Sequence, residues 1–532
     1  MRPLLRSRLL RLALLVVGLA VGALLAGQDV TNRRATAGTR VQRRANVVVL
    51  MTDDETVEDM AVMPQTRALL GDEGVTFDHN YVSYPVCAPS RASFFSGQYA
   101  HNHRVMGLYE PTGGYIRFDR SNDLPVWLQD AGYVTAHIGK YMNGYGTEVK
   151  PTVPPGWTDW HGAIDGSTYK MWGYTLDENG RRHTYGSPFI EDPRLYQTDV
   201  YREKAVRFIR RRAPSDRPFF LSVAFLAPHH EAASVRARTG MFVRPAPRHR
   251  NTLDGLPFVS TRSFDEPNVS DKPAFLRRHP LGFDALDRIV ERRRERQRSL
   301  LAVDDAVVAI VDQLRRSHEL DDTYIVFTSD NGYMQGEHDV PTGKMLPYEP
   351  STRVPLIVRG PGIPRGRTSH ELVGNIDLAP TLVGIAHAHA GKPMDGRSLL
   401  PYARDPDLRS NRPFLHETGG RRFVPARDLD QDGTPRTRSV LSYRAVRTDH
   451  WLYIEYRGGA RELYDLKRDP DELHSHHDDP RYAGVRHVLH RLLERLAKCR
   501  GASCRRAAPP VPAPRPPAIG RRTGPAAGQA PL

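Results

Sequence analysis

The chain has 532 residues, 39% of them hydrophobic and 26% charged, which are globular proportions and enough for more than one domain-sized core. Its formal net charge of +15 sits at the ends: residues 1–44 carry nine Arg against one Asp, residues 498–532 carry seven Lys or Arg and no acid, and the stretch between is neutral. A neutral body argues against a nucleic-acid-binding surface, while the basic ends suit anionic polymers or membrane surfaces.

Arg2, Arg6, Arg8 and Arg11 precede the apolar run from Leu12 to Gly27, which closes on small residues in the pattern of a secretory signal. The run is short for a membrane span, so residues 1–27 are expected to be a signal peptide. An uncleaved anchor is the alternative. The mature chain is expected to have no integral membrane span and to be secreted or held at the cell surface. Residues 28–44 read as a polar linker. The chain has three cysteines; Cys499 and Cys504 are close enough for a local disulfide, which leaves Cys87 apart.

Asn46 to Met51 is a continuous β-branched run of the kind buried on both faces of a sheet. It runs into Asp53 and Asp54, and ligand sites in open α/β sheets lie beyond the carboxyl ends of strands. The paired acids are therefore candidate metal ligands, with helix capping as the plainer reading. The run Pro85-Val86-Cys87-Ala88-Pro89-Ser90-Arg91 follows, and Ala92 to Phe95 opens a helix that places residue 87 near its positive end. His101-Asn102-His103 reads equally as a helix cap or as a substrate-facing group.

Leu124 to Tyr133 has helical spacing, and Tyr133 to Ile138 reads as a strand that delivers Gly139-Lys140-Tyr141-Met142-Asn143 to its end. Only nine of the 76 basic residues are lysines, so Lys140 in a strand-end loop marks a place for a compact ammonium. Residues 150–190, rich in Gly, Pro, Trp and Tyr, read as a long loop near a cleft. Tyr201 to Arg212 reads as an amphipathic helix, and Phe219 to Phe225 as a strand that ends at His229-His230-Glu231. Residues 232–298 read as a surface insertion. Leu300, Val303, Val307, Ile310 and Leu314 keep helical spacing, with Asp304 and Asp305 on a solvated or capping face. Thr323 to Thr328 is a further strand, ending in Asp330-Asn331-Gly332. His338 and Lys344 lie in the Gly-rich loop beyond it. A strand with a turn covers Val354 to Gly362, and a helix opens near Leu378.

These elements predict an α/β domain over 45–412 with a mixed, largely parallel sheet flanked by helices. A smaller C-terminal α+β subdomain with an antiparallel sheet follows over 413–498. A disordered Pro/Ala/Arg tail is expected over 499–532. Asp53, Asp54, Asp330 and Asn331 offer hard oxygen donors suited to Ca²⁺, with Mg²⁺ as an alternative. Arg91, Lys140 and Lys344 would neutralise a bound anion, and His229 is a candidate proton donor to a leaving oxygen.

Cys87-x-Pro89-Ser90-Arg91 resembles the modification signature of the sulfatase family. Asp53-Asp54, Gly139-Lys140, His229, Asp330-Asn331-Gly332, Lys344 and the Val354 to Gly362 run occur in sulfatase order, over roughly residues 46–475. The resemblance implies an alkaline-phosphatase-like fold and the conversion of Cys87 to formylglycine by a formylglycine-generating enzyme. It further implies a bound Ca²⁺ surrounded by Asp53, Asp54, residue 87, Asp330 and Asn331, with Arg91, Lys140, His229 and Lys344 contacting the sulfate or the reacting oxygens. Met142 stands where many sulfatases have His, so Asn143 or His338 becomes a candidate to assist the aldehyde hydrate. Ser96-Gly97-Gln98 also departs from the commoner threonine-glycine-basic ending. Gly139-Lys140-Tyr141-x-Asn143-x-Tyr145 is similar to N-acetylglucosamine-6-sulfatases and heparan endosulfatases, which implies a sulfated carbohydrate substrate, with an aryl sulfate as surrogate. Two rival readings are a phosphonate monoester or phosphodiester hydrolase of the same superfamily, and a secreted carbohydrate-binding protein in which Cys87 stays a thiol.

Overall fold

Strand β1 (Asn46–Asp53) is buried along its whole length. Val47, Val49 and Met51 enter one hydrophobic cluster and Val48 and Leu50 the other, so the strand is the middle of a sheet covered on both faces. The computed structural model describes residues 44–213, 215–277, 280–419 and 442–516. The expected signal peptide, the expected linker up to residue 43 and the tail from residue 517 onward lie outside these residues.

The main sheet is completed by β2 (Val75–Phe77), β3 (Val134–Gly139), β4 (Asp159–Ala163), β5 (Tyr174–Glu178), β6 (Arg181–Tyr185), β7 (Phe219–Pro228), β8 (Thr323–Ser329), β9 (Leu356–Arg359) and β10 (Arg367–Ser369). Its spatial order is β10-β2-β9-β8-β1-β7-β3-β4-β5-β6. β8, β1, β7, β3 and β4 run parallel, while β9 pairs antiparallel with β8 and β2, and β5 and β6 close the other edge antiparallel. Helices alternate between the faces: α1 (Cys87–Ser96) and α2 (Leu124–Asp130) on the first, α3 (Gln197–Arg212) and α4 (Phe283–Arg316) on the second, α5 (Leu378–Ala386) on the first again. The fold is the expected mixed, largely parallel α/β sheet flanked by helices.

A four-stranded antiparallel sheet follows: β11 (Phe414–Glu417), β12 (Tyr443–Arg447), β13 (Trp451–Tyr456) and β14 (Arg461–Asp465), with α6 (Ala483–Leu496). One face packs Val446, Trp451, Tyr453 and Leu463 against Val485, Leu489, Leu492 and Leu496 of α6. The other sends Ala445, Leu452, Ile454 and Tyr464 into the cluster that also holds α1. Cys499 and Cys504 are disulfide-bonded. Residues 499–516, read from composition as the start of a disordered tail, are held against the fold: Gly501–Arg505 form a short helical turn, and the Ala508 amide donates to the Asn411 carbonyl at 2.9 Å.

Two further readings change. Residues 150–190 are not a loop region but contain β4, β5 and β6; the two-residue Asn179-Gly180 turn, with φ of 53° and 89°, makes β5 and β6 a tight hairpin. Helix α4 begins at Phe283, well before the apolar run, because its first half buries polar side chains such as Glu295, Arg296 and Gln297 instead of an apolar stripe. Asp304 does cap, but across the structure: it accepts from the Thr66 amide at 2.7 Å and the Gln65 amide at 3.1 Å. Asp305 pairs with Arg248 and His249. No helix among the described residues is long and apolar enough to cross a membrane.

Candidate active site

The pairing of Thr52 with Ser329 brings the carboxyl ends of β1 and β8 side by side, so that Asp53-Asp54 and Asp330-Asn331 meet without further arrangement. Asp54 has a left-handed φ of 69°; its amide donates to Asp330 Oδ1 at 3.3 Å and its Oδ1 accepts from Asn331 Nδ2 at 2.5 Å. Buried Arg296 donates to the carbonyls of Asp54 and Pro228 at 2.5 and 3.2 Å, which ties the end of β1 to the end of β7.

Helix α1 starts at Cys87 itself, earlier than the apolar run predicts, so residue 87 is the first residue at the positive end of the helix dipole. Pro89 two residues on fits there because its missing amide would have no intrahelical partner. The turn is fixed by Ser90 Oγ, which donates to the Asp330 carbonyl, and by Asn375 Nδ2, which donates to Ser90 Oγ at 2.9 Å.

Cations close around the sulfur. Lys140 Nζ is 3.3 Å and Lys344 Nζ 3.2 Å from Cys87 Sγ, and Asp53 Oδ1 is 3.5 Å away. Lys140 also bonds Asp53 Oδ2, and Lys344 bonds Asp54 Oδ1 at 2.6 Å. Lys140 can take this place because Gly139 has a φ of 104° at a point where a Cβ would lie 2.1 Å from the Ala224 carbonyl. Arg91 spans three strand ends: Nε to Asp330 Oδ2 at 2.8 Å, Nη2 to Asp53 Oδ2 at 3.5 Å, and Nη1 to the Lys140 carbonyl at 2.6 Å. His229, just past β7, places Nε2 3.6 Å from Asp54 Oδ2. Its Nδ1 lies 2.8 Å from the His230 carbonyl, which can only accept, so Nδ1 carries the proton.

Burial governs the titrations. It pushes the Cys87 thiol far up, and Asp53 adds to the shift while the two lysines oppose it. It pulls His229 well below the usual imidazole range, helped by His230 and by the charges of Lys344 and Lys140. Burial also opposes the charge on Lys140 and Arg91, but the carboxylates outweigh it and hold both above their ordinary values.

The buried donors could hold a metal ion. Asp53, Asp54, Cys87 and His229 each place one ligand atom within 4.8 Å of the others. Asn331 Oδ1 is buried with no hydrogen-bond partner, an acceptor that a cation would satisfy.

All nine residues read from the sequence as site residues are therefore gathered in one place: Asp53, Asp54, Cys87, Arg91, Lys140, His229, Asp330, Asn331 and Lys344. Asn143 is one step removed, donating to the Tyr169 hydroxyl at 2.8 Å. Tyr169, which carries no signal in the sequence, is half-buried with its ring 4.7 Å from Lys140 Nζ and 5.0 Å from the His229 ring. His338 is bonded to Glu266 and not to residue 87. Met142 is buried in the core. His101 and Asn102 bond the Cys499 carbonyl, Glu417 and Asp395, which makes them a tie to the C-terminal region.

The family model described as Sulfatase matches residues 45–388. The chain is 33% identical over 512 residues to an arylsulfatase of Volvox carteri, covering 88% of this chain and 77% of that protein. It is 33% identical over 506 residues to the N-acetylglucosamine-6-sulfatase of Homo sapiens, covering 88% and 87%. A solved structure of a protein in complex with its substrate D-glucosamine-2-N,6-O-disulfate is similar in fold, with a TM-score of 0.68 at 23% identity over 85% of this chain and 97% of that one. The chain belongs to the sulfatase family, and the protein is a sulfuric ester hydrolase.

Proposed function

We propose that the enzyme hydrolyses sulfate monoesters on sugars, of the N-acetylglucosamine-6-sulfate type, after export from the cell, with aryl sulfates as surrogate substrates. The observation that carries this reading is the placement of Cys87 at a helix N-terminus with the ammonium groups of Lys140 and Lys344 3.3 and 3.2 Å from its sulfur. The choice of a sugar rests on the likeness to an N-acetylglucosamine-6-sulfatase over 87% of that protein's length.

Residue 87 is read as formylglycine made from Cys87, the one free cysteine, and its hydrate supplies the nucleophilic oxygen. Asp53, Asp54, Asp330 and Asn331 would hold Ca²⁺, or Mg²⁺ in its place, which supplies positive charge against the sulfate oxygens. The chain's own groups do the remaining work. Lys140 and Lys344 bind sulfate oxygens on either side of residue 87 and stabilise the charge that moves onto them in the transition state. Arg91 holds Asp53, Asp330 and the Lys140 carbonyl in one geometry, which orients the anion pocket. His229, anchored through Nδ1–H, has its Nε2 bare in the neutral ring. Once the bound sulfate anion favours the imidazolium, Nε2–H carries the proton that passes to the departing alkoxide and leaves the neutral ring.

The test uses the full chain made together with a formylglycine-generating enzyme. The mass of the residue-87 peptide is measured, and turnover is compared on an aryl sulfate, N-acetylglucosamine-6-sulfate, a phosphonate monoester and a phosphodiester. Conversion of Cys87 with preference for the sulfates is expected. An unmodified thiol with sugar binding alone would favour a binding protein, and faster turnover of phosphorus esters would replace the sulfatase reading.

A further inference from the structure

Lys344 belongs to a loop whose other end carries a buried hydrogen-bonded pair, His338 with Glu266. It directly follows Gly343, whose carbonyl accepts from the Met334 amide at 2.7 Å, so it stands at the base of a small hairpin. The hairpin turns at residues 336–340, and His338 at its tip has a left-handed φ of 51°. The insertion grips that tip: the His338 amide donates to the Ser263 carbonyl at 2.7 Å, the Asp265 amide donates to the Gly336 carbonyl at 3.0 Å, and His338 Nδ1 lies 2.6 Å from Glu266 Oε2.

The same imidazole packs on Tyr348, with ring centroids 4.4 Å apart, and Tyr348 donates to Glu462 of β14 at 2.9 Å. Lys344 thus lies on the short stretch of chain between the hairpin, whose tip His338 holds, and Tyr348, on which the same ring packs. Behind the pair, fully buried Lys272 reaches Glu266 Oε1 at 3.5 Å and donates to the carbonyls of Glu472 and Leu473 at 2.9 and 3.2 Å. A histidine that only filled space would need neither a left-handed backbone nor a carboxylate partner, and apolar side chains would fill this volume without the desolvation cost of buried charges.

We propose that Glu266 and His338 form a positioning device for Lys344, clamping its loop between the insertion and the C-terminal sheet so that Nζ is held at residue 87. The proposal rests on the reading that Lys344 serves the reaction there. His338 is a positioning residue and acts only through Lys344.

The test is a double-mutant cycle on the full chain made with a formylglycine-generating enzyme, assayed on p-nitrophenyl sulfate, with conversion of residue 87 checked by peptide mass. His338→Leu is expected to lower kcat about tenfold while KM changes less than about twofold. His338→Asn offers an amide near the position of Nδ1 and tolerates the left-handed φ, and is expected to recover most of the loss. In a Lys344→Ala background His338→Leu is expected to cost nothing more. An equal loss in both backgrounds, or no recovery with Asn, overturns the proposal. Should His338→Leu not fold, Glu266→Ala takes its place in the same cycle. Should the wild-type chain carry formylglycine and still lack turnover, the functional reading fails; amide exchange in Glu266→Ala then decides the positioning role alone, with faster exchange at 339–345 supporting it and unchanged exchange overturning it.

Discussion

Arg91 Nε donates to Asp330 Oδ2 at 2.8 Å across 239 residues of chain, and both side chains are almost wholly buried. The guanidinium also reaches Asp53 and the Lys140 carbonyl, so a single side chain spans the ends of β1, β3 and β8. A lysine has one compact charge and cannot span three partners. Arg91→Lys keeps the charge but leaves buried acceptors unmet, so it is expected to lower unfolding stability by about 1–3 kcal/mol and to lower turnover as well. Denaturant unfolding checks it; a midpoint equal to wild type would mean that the three contacts contribute nothing.

Gly139→Ala places a methyl group 2.1 Å from the Ala224 carbonyl and forces a side chain onto a φ of 104°. A loss of more than about 2 kcal/mol is expected, since the backbone of β3 or β7 must move. Lys140 follows directly, so kcat should fall more than KM rises. Steady-state kinetics on a surrogate aryl sulfate separates the two constants.

Exhaustive chelation is expected to abolish turnover, and Ca²⁺ to restore it. Ca²⁺ should also raise the thermal midpoint, because an ion that binds only the folded site stabilises it by mass action. Asp54→Asn removes one hard anionic donor and should raise the Ca²⁺ concentration for half-restoration by about tenfold or more. Full turnover after chelation would count against a required cation.

Burial pushes Glu295 up to about 7, although its carboxylate accepts from the Phe242 and Val243 amides at 2.6 and 3.2 Å. Between the ordinary carboxylate range and pH 7 the folded chain keeps a proton that the unfolded chain has released. The stability this group contributes is therefore fully present below that range and is lost as pH rises through 7. Gln does not titrate. From about pH 5 to about pH 8, Glu295→Gln is expected to gain on wild type by on the order of 1–3 kcal/mol. Thermal unfolding of both at the two pH values checks the sign; a constant difference would show that Glu295 titrates normally.

Most residues of the site could be read from the chain because they follow a buried strand or lie in the first turns of a helix, and those patterns are local; Lys344, in a loop, has no such pattern beside it. The meeting of these residues could not be read. That Asp54 touches Asn331 depends on the pairing of β1 with β8, and no property of either segment states that pairing. The first half of α4 escaped periodicity because its buried residues, Ile289 apart, are polar: Glu295, Arg296, Gln297, Arg298 and Ser299. Arg296, which ties Asp54 to Pro228, was hidden for the same reason. The β5–β6 hairpin did carry its signal, Asn179-Gly180, but aromatic and glycine-rich composition around it masked the alternation. His101 and Asn102 stayed ambiguous because capping and ligand binding use the same side chains; the Cys499 carbonyl, almost 400 residues on, decides between them.

Cys87 is 1% exposed, beneath two lysines and an aspartate. A second protein cannot take that side chain into its own pocket once β1, α1 and β8 have closed around it. Any enzyme that alters the residue must therefore act on the chain while it is still open, and the completion of folding ends its opportunity. If Cys87 is converted as proposed, a copy that folds with its thiol unaltered would keep it, and the converted fraction would be set by how synthesis is timed against folding.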